Sequence, residues 1–339
     1  MTPTDPSLLG AAVHRAARSP LWRTVLVLVL LVAGLGGWWL SAGRSPGYPR
    51  GETRFATGVP RGVYDRYGQL LQAHVSQTMP GVRLALDSTD GSVENLSRVA
   101  TGQDAFAIAT ADAVAAYQGA GKDRLRAIAR LYDDYLQLIV PADSPVHRTA
   151  DLKGLRVGVG LPQSGVNLVT RRLLTAAGLD PDHDITAVPA GVSDGSDELR
   201  EGKLDAFFWS GGLPTSALTD LSDRFRIRIV PLADLSEALR KTEGDGVDAY
   251  RAATMPKGTY PNADPKDAVA TMAVPNLLVT RDDADPGLVE GMTRAVIDSR
   301  DQIGAQVHAA QLVDLRTAVY TDPLPLHEGA ARYYRSVKP

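Results

Sequence analysis

Beyond about residue 50, apolar positions fall at intervals of two, then of three or four, and this switch recurs along the chain. Thr53 to Gly58, TRFATG, alternates as a half-buried strand does. In the following VPRGVYDRYGQLLQAHVSQ, Val63, Tyr67, Leu70, Leu71 and His74 or Val75 share one side of a helix. Next come a strand-like VRLALD, then Asp90-Gly91-Ser92, a short helical piece, Gly102 and the apolar DAFAIAT. About a hundred positions on, the order returns. LRVGVG (Leu155 to Gly160) leads into the helical LPQSGVNLVTRRLLTAAG, then DITAVP, Asp194-Gly195-Ser196, a short helix, Gly202 and DAFFWSG.

The offsets nearly agree: Gly58 and Gly160 stand 102 apart, Asp90 and Asp194 104, Asp104 and Asp205 101. Ser92 and Ser196 are expected to cap the short helices, because a serine hydroxyl accepts from the free amides of a first turn. Gly102 and Gly202 suit the left-handed position that ends a helix. On this alignment the second copy has lost about one helical turn. The repeat therefore predicts two similar β-α-β-α-β lobes, each a parallel sheet with helices on both faces. Ligands of such sheets bind outside the carboxyl ends of the strands. Those ends are the loops Gly58 to Tyr64, Ser88 to Asn95, Thr110 to Asp112, Leu161 to Asn167 and Trp209 to Gly212. Facing lobes would line one cleft with them.

The N-terminus follows a different pattern. After His14, Arg15, Arg18 and Arg23 comes TVLVLVLLVAGLGGWWL, Thr24 to Leu40, with no charge. The run approaches the length of a spanning helix. Basic residues before it predict a cytoplasmic tail at 1–23 and an exported remainder. An uncleaved anchor competes with a cleaved signal sequence. The length of the run and the interfacial Trp38-Trp39 favour the anchor, whereas Ser41 and Gly43 would permit a cut. A Gly/Pro/Arg linker, 41–51, separates the run from the folded part.

Composition narrows the function. With 339 residues, 44% hydrophobic and a formal net charge of −3, the chain is ordinary globular material. It carries no basic face for nucleic acid. Cysteine is absent, which removes disulfides, thiolate metal sites and cysteine nucleophiles. GLPQSGVN, Gly160 to Asn167, has phosphate-loop glycine spacing but lacks its Lys and Ser/Thr. No nucleophile elbow and no Ser-x-x-Lys occur near the loops. The six histidines are scattered, and the DPDHD around Asp182 lacks the glycine and distal glutamate of an EF-hand. No enzyme, metal or cofactor is expected. Helix N-termini at the cleft favour an anionic ligand such as a carboxylate. Arg61 offers a bidentate fork to hold it. Tyr64, Tyr132 and Trp209 are candidate aromatic walls.

Between Arg54 and Tyr334 the chain resembles the TAXI solute-binding proteins of TRAP (tripartite ATP-independent periplasmic) transporters. The motifs are FATG…GVYDRYGQLL, DSTDGSVENL, LRAIARLYDDYLQLIV, DLKGLRVGVGLPQSGVN, DAFFWSGGLPT, MPKGTYPN, VPNLLVTRDD and PLPLHEGAARYY. The resemblance implies a type II periplasmic-binding-protein fold, with two α/β lobes around a ligand cleft. It also implies capture of a small organic anion, an amino acid or dicarboxylate, and delivery to a TRAP-type permease. Departures fall in the ligand loops: Pro60 and Arg61 replace a glycine-rich stretch, and Asp90 intrudes in the second loop. Lobe 1 is expected at 52–140 and 251–339, and lobe 2 at 141–250, with Tyr135 to Val140 the first hinge strand. The expected ligand-binding set is Gly58, Arg61, Gly62, Tyr64, Ser88, Ser92, Asn95, Thr110, Asp112, Tyr132, Ser164, Gly165, Asn167, Trp209 and Ser210. The alternative function is a membrane-anchored ligand-sensing module that signals to a partner membrane protein.

Overall fold

A computed structural model describes residues 26–32, 48–241 and 245–337. Residues 26–32 are helical, and their seven apolar side chains are each more than half exposed. Among the described residues no helix is long and apolar enough to cross a membrane, and most of the expected 24–40 segment lies outside them. The described residues from 48 onward make a compact unit of their own.

That unit is organised by one mixed sheet in two flanks. In the first flank, β1 (Gly51–Ala56) pairs in parallel with β2 (Val82–Asp87) and β3 (Phe106–Thr110). In the second, β5 (Arg156–Gly158) pairs in parallel with β6 (Thr186–Val188) and β7 (Ala206–Gly211). The strands of the two copies therefore correspond one to one, as the repeat predicts. Between the flanks run two long antiparallel strands, β4 (Leu125–Pro141) and β10 (Val269–Arg281). The order is β2-β1-β3-β10-β4-β7-β5-β6, with β8 (Ile227–Val230) on the end of β4 and β9 (Arg251–Met255) on the start of β10.

Helices cover the sheet. In the first flank these are α1 (Val63–Thr78), α2 (Ser92–Ala100) and α3 (Ala111–Ala116). In the second they are α4 (Gly165–Ala176), α5 (Val192–Arg200), α6 (Ser216–Arg224) and α7 (Ser236–Lys241). The chain closes on the first flank with α8 (Pro286–Asp298), α9 (Arg300–Gly304) and α10 (Glu328–Val337). The apolar stripe of α1 is buried as its spacing requires: Tyr67, Leu71 and Val75 pack with Phe55, Phe106 and Ile108 of the sheet. Val169, Leu173 and Leu174 of α4 do the same with Val157 and Phe208.

The repeated Asp-Ala-Phe now has a physical role. Asp104 and Asp205 each sit just before the third strand of their flank and meet an arginine from the first strand. Arg54 Nε stands 3.5 Å from Asp104, and Arg156 reaches Asp205 at 2.6 Å. Arg98 joins Asp104 in the first copy, so the two ion pairs are similar rather than identical.

Three sequence expectations need correction. The Asp-Gly-Ser echoes are out of register. The α2 helix starts at Ser92 but α5 starts at Val192, so Asp194, Gly195 and Ser196 lie within the helix rather than before it. Both helices have 9 residues, so no turn has been lost. Neither serine caps: Gly91 and Gly191 occupy the N-cap positions without a side-chain hydrogen bond. Instead the Ser196 hydroxyl donates back to Val192 O at 2.7 Å, a bond open to any mid-helix serine. Gly102 and Gly202 do end their helices with φ of +79° and +72°.

Candidate functional site

The N-termini of four helices longer than two turns meet over one cavity. Gly62 and Val63 open α1, Gly91 and Ser92 open α2, Ser164 and Gly165 open α4, and Gly191 precedes α5; all of them line it. The first amides of a helix have no partner within the helix and carry its positive end. Three of these four termini have glycine at the N-cap, which leaves the approach to the amides free of side chain. The fourth is capped by Ser164, whose hydroxyl accepts from Asn167 N at 3.0 Å. This fold thus concentrates amide donors from both flanks on a space of about 50 Å³, as measured for the centres of water-sized molecules. At about 10–15 Å³ per water in that measure, it holds three to five waters or a solute of similar size.

The flanks touch around it. Glu94 N on the first donates to Gln163 O on the second at 3.0 Å. Gly165 has no room for a side chain: a Cβ there would lie 3.0 Å from Ser92 Oγ and 3.1 Å from Thr110 Oγ1. The Trp209 ring forms part of the wall, anchored by its Nε1–H on Thr215 Oγ1 at 3.0 Å.

The floor comes from the crossing strands. Asp134 of β4, 2% exposed, lines the cavity. Asn276 of β10 donates to its Oδ1 at 2.8 Å, and the Ser210 hydroxyl reaches its Oδ2 at 3.4 Å. Tyr64 donates to Asn276 Oδ1, and its hydroxyl lies 3.2 Å from Ser92 Oγ, which also accepts from Thr110 N at 3.2 Å. A single chain of hydrogen bonds therefore joins both flanks to the buried acid. Burial pushes the Asp134 carboxyl up to about 7, against the pull of Asn276 and Ser210, and the charge of Asp112 adds to the rise. Among the described residues, the only charged groups lining the cavity are Asp134 and Asp90.

Of the expected ligand residues, the structure brings Gly58, Gly62, Tyr64, Ser92, Thr110, Ser164, Gly165, Trp209 and Ser210 to the cavity. Six stand elsewhere. Arg61, expected to grip a carboxylate, turns away and pairs with Asp220 of α6, with both side chains about half exposed. Its backbone explains why: φ is +64°, the left-handed region, which swings the side chain outward. Ser88 holds the first loop by donating to Gly58 O at 3.0 Å. Asn95 is fully buried, donating to Thr57 O and Ile108 O and accepting from Thr89. Asp112 is buried against Tyr250 and Arg172. Tyr132 is a core residue, its ring 5.8 Å from that of Tyr67. Asn167 folds back, donating to Val159 O at 3.2 Å.

Asp134 is the residue that sequence reasoning missed. Its signal was present: an acid pair, Asp133-Asp134, in the middle of a mostly apolar and mostly buried strand. Buried carboxylates are costly unless they are paired or functional. Asp133 is paired, with Arg130 at 2.6 Å and with Arg251. Among the described residues no cation pairs with Asp134.

A model of the NMT1-like family matches residues 55–337. A solved structure described as a periplasmic transporter is 15% identical, with a TM-score of 0.50 over 86% of this chain and 93% of that one. An ancestral arginine-binding protein bound to arginine is 14% identical, with a TM-score of 0.49 over 77% and 99%. The alkanesulfonate-binding protein of Xanthomonas axonopodis pv. citri, bound to MOPS, is 16% identical with a TM-score of 0.47 over 86% of each chain. None of these three is described as an enzyme. The fold is the mixed α/β one of periplasmic binding proteins.

Proposed function

The chain belongs to the NMT1-like family, and from that premise we propose that it is an extracytoplasmic solute receptor rather than an enzyme. Its two flanks act as lobes that close on a small solute carrying a carboxylate at one pole and an ammonium at the other. The receptor hands this solute to a membrane permease of the TRAP type, as the motif resemblance implies. One observation carries the choice of ligand: four helix N-termini face a buried, cation-free Asp134 across a small cavity. The amides suit a carboxylate. Asp134, with the Ser210 hydroxyl beside it, suits an ammonium. A dicarboxylate would set a second negative charge against Asp134 and Asp90 with no cation to offset it. The volume favours a small solute.

Thermal unfolding of the full-length chain with millimolar glycine, L-alanine or succinate tests this. A solute at a hundred times its dissociation constant stabilises the protein by about 2.7 kcal/mol. The reading requires a clear rise with glycine or L-alanine and none with succinate. A rise with succinate alone would overturn the assignment of Asp134 to an ammonium.

A further inference from the structure

Two residues expected to bind solute, Arg61 and Asp112, instead make ion pairs from one flank to the other, on α6 and α4 respectively. The two contacts differ in kind. Arg61 and Asp220 are 55% and 49% exposed, and such pairs shift an equilibrium by a factor of about five at most. The Asp112 contact is buried. Asp112 is 1% exposed at its side chain and Arg172 12%, their charged atoms 3.7 Å apart. Tyr250 donates to Asp112 Oδ2 at 2.5 Å, and Arg172 Nη1 donates to the Tyr250 hydroxyl at 3.1 Å. Arg172 Nη2 donates to Asp245 O at 2.5 Å, and its guanidinium stands 5.9 Å from the centre of the Tyr250 ring. The 245–250 segment is pressed onto α3: a Cβ on Gly246, whose φ is +86°, would fall 2.6 Å from Asp112 O. None of the three side chains lines the solute cavity.

We infer that Asp112, Arg172 and Tyr250 form a closure clasp, which sets solute affinity without touching the solute. Opening the flanks separates Asp112 on α3 from Arg172 on α4, and water then solvates both charges. The clasp therefore stabilises only the closed form. Removing one partner leaves the other charge buried and unpaired whenever the flanks close, and this penalises closure alone. The inference rests on the closing motion proposed above but not on the identity of the solute.

The absence of cysteine makes the test direct. Gln77→Cys and Lys203→Cys place one spin label on an exposed site of each flank in the full-length chain, and pulsed dipolar spectroscopy reads the distance between them without any solute. The unsubstituted clasp should give a short-distance population that falls at least about tenfold relative to the long one in Arg172→Ala. Arg61→Ala should change it by less than about fivefold. The double variant Asp112→Asn/Arg172→Gln, with no unpaired buried charge, should regain part of the closed population. Should Arg172→Ala fail to fold, Tyr250→Phe removes only a hydroxyl and should still lower the closed fraction. Identical distance distributions with and without the clasp would overturn the inference, as would a parent chain with no short-distance population. Those outcomes are independent of whether glycine, L-alanine or succinate binds.

Discussion

Replacing Asp134 by Asn should make the unliganded protein more stable while weakening its capture of solute. The amide keeps the shape of the carboxyl: its oxygen can accept from Asn276 Nδ2 and its NH2 can donate to Ser210 Oγ, the groups now at 2.8 and 3.4 Å. What it removes is an ionisable group whose folded value burial raises from 3.8 to about 7. For a raised acid the stabilising contribution is complete below the unfolded value and is lost as pH rises through the folded one. The Asp134 carboxyl therefore opposes folding progressively from pH 3.8 up to about 7 and by a constant amount above that. At about 1.36 kcal/mol per unit, the penalty is on the order of a few kcal/mol at pH 8 and smaller at pH 5. Asp134→Asn abolishes it, and at about 2 °C per kcal/mol the melting temperature should rise by several degrees at pH 8 and by less at pH 5. Binding should fall by about ten- to a hundredfold, the worth of a charge-assisted hydrogen bond. Unfolding followed by circular dichroism at the two pH values, and calorimetry with L-alanine, measure both effects. An equal shift at pH 5 and pH 8, or a loss of stability at pH 8, would refute the argument that Asp134 is a destabilising acid retained for its ligand.

Two further substitutions separate the loops from the cavity. Arg61→Gly relieves a left-handed backbone strain of about 1–2 kcal/mol and loses an exposed ion pair worth about 0.2–1 kcal/mol, so the denaturant midpoint should stay level or rise slightly. Solute affinity should change by less than about fivefold, and a loss of a hundredfold would return Arg61 to the binding site. Asn95→Ala strips partners from Thr57 O, Ile108 O and the Thr89 hydroxyl, all buried, at about 1–3 kcal/mol for each unsatisfied group. Urea unfolding should show a loss of at least about 3 kcal/mol, and a smaller one would mean that water replaces the side chain.

The repeat was legible because both copies must solve the same packing problem. Strand and helix periods, and the glycines at 102 and 202, express that demand locally, and the paired strands of the two flanks follow from them. The Asp-Gly-Ser match misled because three letters do not mark where a helix begins. Gly91 precedes its first turn, whereas Gly195 lies one turn inside. Arg61 misled for a different reason. Chemistry qualified it for a carboxylate, but a positive φ at a non-glycine residue leaves no sequence signature, and that angle decides where the side chain points. Asp112 lies in the first turn of α3, just past β3, and the structure spends it on Arg172 and Tyr250, the latter 138 residues away, a partnership no local pattern reveals. For the Asp133-Asp134 pair the strand period guarantees that adjacent residues face opposite ways. Which one faces the cavity depends on β10 and β7, both distant in sequence.

The placement of the acid follows from the same topology. The helix N-termini belong to the repeated parts, one set on each flank, and so come together only when the flanks meet. Asp134 and Asn276 belong to β4 and β10, which are outside the repeat and hydrogen-bonded to each other and to both flanks. A group on those strands is held by backbone hydrogen bonds to both flanks. Duplication can supply symmetric donors for a carboxylate, but it would supply acids in pairs, one per flank, and two facing acids would repel each other as the cleft shut. A single acid on the shared strands avoids that repulsion. This placement also sets a buried acid against the helix N-termini, with Asp90 the second acid of the lining, and that arrangement suits a solute with an ammonium pole better than a dianion.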